Sequence, residues 1–343
     1  MQPAHTAAVY GAYGHTGRFV VAELRRRGWT PILAGRDPFK LEAFAQTHPG
    51  LAIRPAAVED AAALDRALAG AEIVVNCAGP FFRTAGPLIE AALRARIPYL
   101  DVAAEVEGVI DAFAYDERAR AAGVTIVPAM AFYGGLGNLL ATAAMGDWTA
   151  ADGIDLAYAL SSWKPTLGTR ATTQVSRQRR GGKRIAFAGG RIEARTDKPP
   201  VLQWTFPVPF GTQTVVGEFT TADSVTIPRH LATPELRTVM TLEPLGDLND
   251  PDLSPPPATD ASGRSDQTFL VEVRVRKGRQ ERRAVARGRD IYAITAPLVV
   301  EAAQRVADGA VGSTAGGAFA AGQIFDARDF LRSLSPSPLE VEL

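Results

Sequence analysis

Residues 7–17, Ala-Ala-Val-Tyr-Gly-Ala-Tyr-Gly-His-Thr-Gly, constrain the fold of this chain more than any other stretch. A short apolar run ends on Gly11, and Gly14 and Gly17 follow. Phe19, Val20, Val21 and Leu24 then recur at helical spacing, before Arg25-Arg26-Arg27 and Gly28. The pattern spells strand, tight turn and amphipathic helix, with cations in the last helical turn and a glycine stop. Such a turn gathers backbone N–H groups and the positive end of a helix at one point, where a pyrophosphate fits. Glycines serve there because a Cβ would hold the backbone away from the ligand. The spacing is Gly-x-x-Gly-x-x-Gly, and Tyr13 stands where the commoner dinucleotide fingerprint has a glycine. Read without a ligand, the same stretch is a strand–helix turn and no more. The binding reading makes Gly11, Tyr13, Gly14, His15, Thr16 and Gly17 candidate cofactor contacts.

The next apolar run, Pro31 to Ala34, closes on Gly35-Arg36-Asp37. NAD-binding relatives of this pattern carry an acidic residue about twenty residues past the glycines, which accepts from the ribose 2′-hydroxyl. Here Arg36 takes that position. A guanidinium can hold a 2′-phosphate through paired hydrogen bonds and stack on adenine, so Gly35 and Arg36 point to NADP, with NADPH preferred over NADH. The plainer alternative is a solvated arginine beside Asp37, which caps a helix beginning at Pro38; that cap suits either cofactor.

The alternation continues. Helical spacing around Leu41, Phe44 and Ala45 is followed by a strand over 51–58, a helix over 61–69 capped by Asp60, and a strand over 72–77. Pro87 opens a further helix at its first turn, 98–102 is a strand, 107–122 a helix stopped by Gly123, and 124–127 a sixth strand. Repeated strand–helix units with apolar strands predict a Rossmann-type, doubly wound parallel sheet covered on both faces. After Phe132 the pattern changes. Residues 154–160, 184–188 and 191–196 read as strands, with Gly189-Gly190 as a hairpin turn, and 269–276 alternates cleanly before a return over 282–287. Residues 247–266, rich in Pro, Asp and Ser, read as loop. The expected plan is therefore an α/β chain of three parts. An NADP-binding domain spans 1–131, an α+β substrate and dimerisation domain 132–290, and a helical segment 291–343 packs back on the first domain.

Thirty-seven basic and thirty-seven acidic residues cancel, so no global field draws the chain to nucleic acid or an anionic membrane. The basic run Arg177 to Arg184 lacks interleaved aromatics and does not change that reading. One cysteine excludes an intrachain disulfide framework, and His5, His15, His48 and His230 have no metal-ligand spacing. No run of about eighteen apolar residues appears, and no secretory leader is visible. A cytoplasmic protein with no metal, no nucleic-acid partner and no membrane partner is expected.

In open α/β sheets a ligand lies outside the carboxyl ends of the strands. That rule selects, besides the glycine turn and Gly35-Arg36, the stretches 76–82, 101–105 and 130–134. Asn76, Ala78, Gly79 and Pro80 are expected on the nicotinamide-ribose side of the cofactor. Hydride transfer asks the protein for orientation, exclusion of water and a proton source. Tyr133, Asp101, Glu105, Tyr99 and Cys77 are the candidate proton donors, and Tyr133 and Asp101 are carried as catalytic. Each has a plain alternative: Tyr133 as a half-buried core tyrosine, Asp101 as a loop cap, Cys77 as a small apolar filler. Phe81, Tyr133 and Arg170 are expected on the substrate, Arg170 holding an anionic group from a helix start. No Tyr-x-x-x-Lys pair and no nucleophile beside a base is present.

Four stretches together resemble the saccharopine dehydrogenase-like oxidoreductases, a family that includes trans-acting enoyl reductases. They are Gly11-Ala12-Tyr13-Gly14-His15-Thr16-Gly17-Arg18 with Ala34-Gly35-Arg36; Asn76-Cys77-Ala78-Gly79-Pro80-Phe81 with Gly86-Pro87-Leu88-Ile89 and Tyr99-Leu100-Asp101; Gly168-Thr169-Arg170; and residues 288–296 with 323–326 and 330–331. The resemblance implies an NADP-binding first domain, a substrate cleft beside it and a homodimer. Where the family has Gly-Glu after the aspartate of the fifth strand, this chain has Ala103-Ala104-Glu105. Residues 197–230, with Trp204 and Phe206 to Phe210, match no motif and are the expected seat of substrate specificity. The expected function is NADPH-dependent reduction of a C=N (imine) or polarised C=C bond in a small metabolite. The alternatives are an NADP-binding regulator or redox sensor, or a biosynthetic accessory protein, without turnover of its own.

Overall fold

Apolar runs become strands of a parallel sheet where helices cover both their faces, and the first 131 residues are built that way. The computed structural model describes residues 5–250, 252–311 and 316–343. Strands β1 (Thr6–Tyr10), β2 (Thr30–Gly35), β3 (Ile53–Pro55), β4 (Ile73–Asn76), β5 (Tyr99–Asp101) and β6 (Thr125–Val127) lie in the order β3-β2-β1-β4-β5-β6. All neighbours are parallel. The order reverses direction between β1 and β4, which is where a doubly wound sheet leaves a crevice for a ligand.

Several local expectations change. The third strand is short, Ile53–Pro55 rather than 51–58. The helix expected over 107–122 is two helices, Val106–Phe113 and Asp116–Ala122, the second ended by left-handed Gly123 as expected. Pro87 does not open a helix. It sits inside helix Phe81–Ala95, which begins directly after Pro80. An interior proline forfeits a backbone hydrogen bond, at about 3 kcal/mol. Full burial of Leu88, Ile89 and Ala92 and a carboxylate cap at the helix start offset that loss.

Contacts divide the chain into two units, residues 1–131 with 295–325 and residues 132–294 with 326–343. Residues 295–343 are thus shared between the units. In the first, helix Thr295–Ala307 packs on helix His15–Arg26. Arg27 meets Glu301 at 2.5 Å and Trp29 Nε1 donates to Gln304 at 2.6 Å.

The second unit is a mixed sheet, built from β7 (Gly153–Leu160), β8 (Arg184–Ala188), β9 (Arg191–Arg195), β10 (Val201–Thr205), β11 (Thr212–Gly217), β12 (Leu236–Thr241), β13 (Thr268–Lys277) and β14 (Gln280–Arg289). The short β15 (Gly317–Ala318) pairs with β6 in the first unit, while β16 (Leu339–Glu342) closes the second sheet against β14. The path is β10-β11-β12-β7-β13-β14-β16, with only β12 and β7 parallel. Gly189 and Gly190 turn the β8–β9 hairpin with positive φ at both positions, as their pairing in sequence predicts. Helix Gly137–Met145 packs on β13 and β14. Trp204 and Phe206 are core residues, buried with Ala157, Val239 and Leu270.

Candidate functional site

The crevice side of the first unit is shaped by missing side chains. Gly11 has φ +84, and a Cβ on it would stand 2.9 Å from Ala78 Cβ and 3.0 Å from Ala78 N. The turns after β1 and β4 therefore touch at the point where the strand order reverses. A Cβ on Gly17 would lie 2.2 Å from the Gly11 carbonyl oxygen, so the first helical turn rests directly on the glycine turn. Gly14 caps helix His15–Arg26 with no side-chain hydrogen bond, and the first turn has no acidic residue. The positive helix end is therefore left for an anion from outside.

At the end of β2, the Tyr13 ring covers Gly35, where a Cβ would meet Tyr13 Cε1 at 2.9 Å. Tyr13 thus fills the space that the missing glycine of the commoner fingerprint would have left open. Arg36 is exposed and no carboxylate lies within ion-pair distance of it among the described residues. Asp37 instead caps the next helix, accepting from Lys40 N at 3.1 Å. His15 stacks edge-on against Phe19 at 5.5 Å. A cradle that any Cβ would fill, an open helix start and an unpaired guanidinium together fit a dinucleotide with a ribose phosphate.

The loop after β4 is held by a buried polar network. Asn76 is fully buried, and its Nδ2 donates to Thr84 Oγ1 at 3.0 Å and Tyr99 OH at 3.1 Å. Its Oδ1 accepts from Ala78 N at 3.0 Å. Asn76 therefore shapes the turn through Ala78, Gly79 and Pro80. The Gly79–Pro80 peptide is cis. Asp101, also fully buried, accepts from Tyr99 OH at 2.9 Å, Ala103 N at 3.0 Å and Ala129 N at 2.7 Å. Burial pushes its carboxyl up and the hydrogen bonds pull it back. That position suits a brace between β5 and β6 rather than the proton donor expected from sequence.

Glu105, a candidate proton donor in the sequence, is 4% exposed and accepts from Phe81 N at 3.0 Å. It occupies the start of helix Phe81–Ala95. Phe81, expected on the substrate, is itself buried, its Cβ side toward Gly108. Burial, with the Asp101 charge adding, pushes the Cys77 thiol up, which leaves it a poor nucleophile.

The second unit holds a separate cluster. Tyr292 OH receives Trp163 Nε1 at 3.2 Å, Thr166 N at 3.4 Å and shares a hydrogen bond with Thr169 Oγ1 at 2.9 Å. Residues far apart in sequence, Trp163, Thr166 and Thr169 on one side and Tyr292 on the other, thus meet at this one hydroxyl. Arg170, expected on an anionic substrate group, instead donates from Nη2 to the carbonyls of Asp250 at 2.7 Å and Leu253 at 2.9 Å. It ties down a loop. Tyr133 is 7% exposed among Phe132, Tyr158, Trp163 and Phe219, and its buried hydroxyl has no hydrogen-bond partner among the described residues. Burial, then Tyr292 and Asp223, push this phenol well above its ordinary range, so it stays protonated. Asp223, absent from every sequence candidate, is fully buried beside it. Burial raises its carboxyl to about 6. No motif signals it, because two of its partners, Gly134 and Tyr158, lie far away in the chain.

Among the described residues no group of three or more His, Cys, Asp or Glu side chains could hold a metal ion, and no helix is long and apolar enough to cross a membrane.

Comparison with known proteins agrees with the first unit's geometry. Residues 7–127 match the saccharopine dehydrogenase NADP binding domain. A probable mitochondrial saccharopine dehydrogenase-like oxidoreductase of Arabidopsis thaliana is 32% identical over 147 residues, 38% of this chain and 32% of the relative. The match thus spans about a third of that curated relative's length. Among solved structures, apo saccharopine dehydrogenase (L-Glu forming) from Saccharomyces cerevisiae covers 99% of both chains with a TM-score of 0.67 at 11% identity. At that identity the likeness is one of fold.

Proposed function

We propose that this chain, a member of the saccharopine dehydrogenase-like family by its NADP-binding domain, is an NADPH-dependent oxidoreductase that reduces a C=N (imine) or polarised C=C bond of a small metabolite. The observation that supports it most is the contact of Gly11 with Ala78 at the sheet's switch point, beside a helix start that no side chain caps. When bound, the reduced nicotinamide supplies the hydride. The chain's own residues do the rest. Backbone N–H groups at His15, Thr16 and Gly17 would hold the pyrophosphate, and Arg36 would hold the 2′-phosphate. Asn76 and Glu105 keep the loop through Gly79 and Pro80 in shape beside the nicotinamide ribose. We assign the proton to Tyr133 rather than Asp101, because the Tyr133 hydroxyl is the one left without a partner. In that role it supplies the proton that the imine nitrogen, or the carbon next to a carbonyl, takes up in the reduction.

Arg36→Asp tests the cofactor assignment. By calorimetry, the Kd for NADPH should rise about 100-fold, since a paired charge-assisted contact is lost and a repulsion gained, while NADH binding changes little. Equal loss for both would mean that the guanidinium does not face the ribose phosphate. The rival reading is an NADP-binding regulator or accessory protein without turnover. It is favoured by Asp101 and Arg170 both being spent on backbone groups. Tight NADPH binding with no oxidation by a cyclic imine such as pyrroline or an enone such as cyclohexenone would choose it. A cytoplasmic homodimer is part of the proposal, and light scattering on the purified protein checks its second half.

A further inference from the structure

The turn that carries Tyr133 is clamped from one short segment. Gly134, at φ +95, donates its N–H to Asp223 Oδ2 at 3.0 Å, and its carbonyl accepts from Thr226 Oγ1 at 2.9 Å. Asn138 Nδ2 donates to the Thr226 carbonyl at 2.8 Å. Asp223 Oδ2 also accepts from Tyr158 OH and Thr221 Oγ1, each at 2.8 Å. Three donors therefore converge on one oxygen. The other, Oδ1, is buried with no partner in another residue, and a Cβ on Gly137 would stand 2.3 Å from it. The Tyr158 ring, pinned by this carboxylate, packs against the Tyr133 ring at 4.9 Å.

We propose that Asp223 is the positioning residue for Tyr133: by gripping the Gly134 N–H and the Tyr158 hydroxyl, it fixes the turn and the ring that hold the Tyr133 phenol in place. The inference rests on the reading that Tyr133 is the donor to substrate. Ionised Asp223 satisfies all three donors. A proton added at Oδ1 has no acceptor in place, so a change of charge must be answered by movement of the turn. The charges around it are few. Tyr158 and Tyr133 are the titratable groups in its immediate surroundings. Helix Gly137–Met145 carries no titratable side chain. Arg184 of β8 is paired with Glu218 and Asp197, and His230 is held by Asn138 and kept neutral by burial, its value lowered to about 4.

Fluorine NMR on the full chain labelled with fluorotyrosine tests this, with Tyr133→Phe and Tyr158→Phe used to assign the two signals. In the wild type, the Tyr133 and Tyr158 signals should shift together through one inflection near pH 6. In Asp223→Asn, which keeps an acceptor for the three donors, the inflection should vanish while NADPH affinity stays within about twofold. A Tyr133 signal that is flat through that range in the wild type, or that still inflects in Asp223→Asn, overturns the proposal. Should Asp223→Asn fail to fold, Thr221→Val removes one donor and should move the inflection to higher pH; an unmoved inflection overturns it equally. The donor reading fails separately. If Tyr133→Phe oxidises NADPH with pyrroline or cyclohexenone as fast as the wild type, Tyr133 is not the donor, whatever the NMR shows of its coupling to Asp223.

Discussion

Gly17 shows how much one absent methyl can decide. Its Cβ position is 2.2 Å from a backbone oxygen, and a backbone cannot swing aside as a flexible side chain can. Gly17→Ala is expected to cost about 3 kcal/mol of stability through overpacking and to abolish NADPH binding, read by thermal denaturation and calorimetry. Retained binding would mean that the turn can open without losing its N–H array. Residues of this kind were legible in the sequence, because glycines at fixed spacing after a strand report a purely local requirement. Asp37 was legible for the same reason, as a cap three residues before the N–H it accepts from. Asp223 was not. It joins Gly134 across 89 residues and Tyr158 across 65, and no window of sequence contains both ends of either bond.

The same distinction separates the elements. Strands β1, β2, β4 and β6 could be read from apolar runs that end on turn residues, and helix His15–Arg26 from its spacing. Helix Phe81–Ala95 could not be placed, because its first six residues look like loop and its proline looks like a beginning. What starts it early is Glu105, 24 residues further on, whose carboxylate takes the Phe81 N–H and, at 3.4 Å, the Phe82 N–H. A carboxylate at a helix start satisfies orphan donors and meets the favourable end of the dipole. Glu105→Ala should therefore lower stability by about 2 kcal/mol and speed amide exchange at Phe81 and Phe82, with a weaker grip on NADPH as the adjoining loop loosens. Unchanged exchange there would mean that Pro80 alone fixes the helix start. The start of the Arg170 helix was misjudged in sequence for a complementary reason. Thr166 already caps it, accepting from Thr169 N at 3.1 Å, and its arginine is turned onto loop carbonyls.

At the level of the whole molecule, each unit is assembled from two separated lengths of chain. A fragment of residues 1–131 lacks helix Thr295–Ala307 and with it the partners of Arg27 and Trp29. Leaving the fully buried Val20, Val21 and Leu24 without cover, it should show reduced helical circular dichroism and no cooperative melt. The same fragment joined through a flexible linker to 295–325 should recover both. A cooperative melt for 1–131 alone would show that the covering helix is dispensable. The division of the tail has a consequence for synthesis. A ribosome that has passed residue 294 has delivered most of both units and finished neither, since one still waits for its covering helix and the other for its closing strand. Neither unit is therefore complete until residues 295–343 have been made, and a message stalled before them yields two incomplete cores at once instead of one sound half.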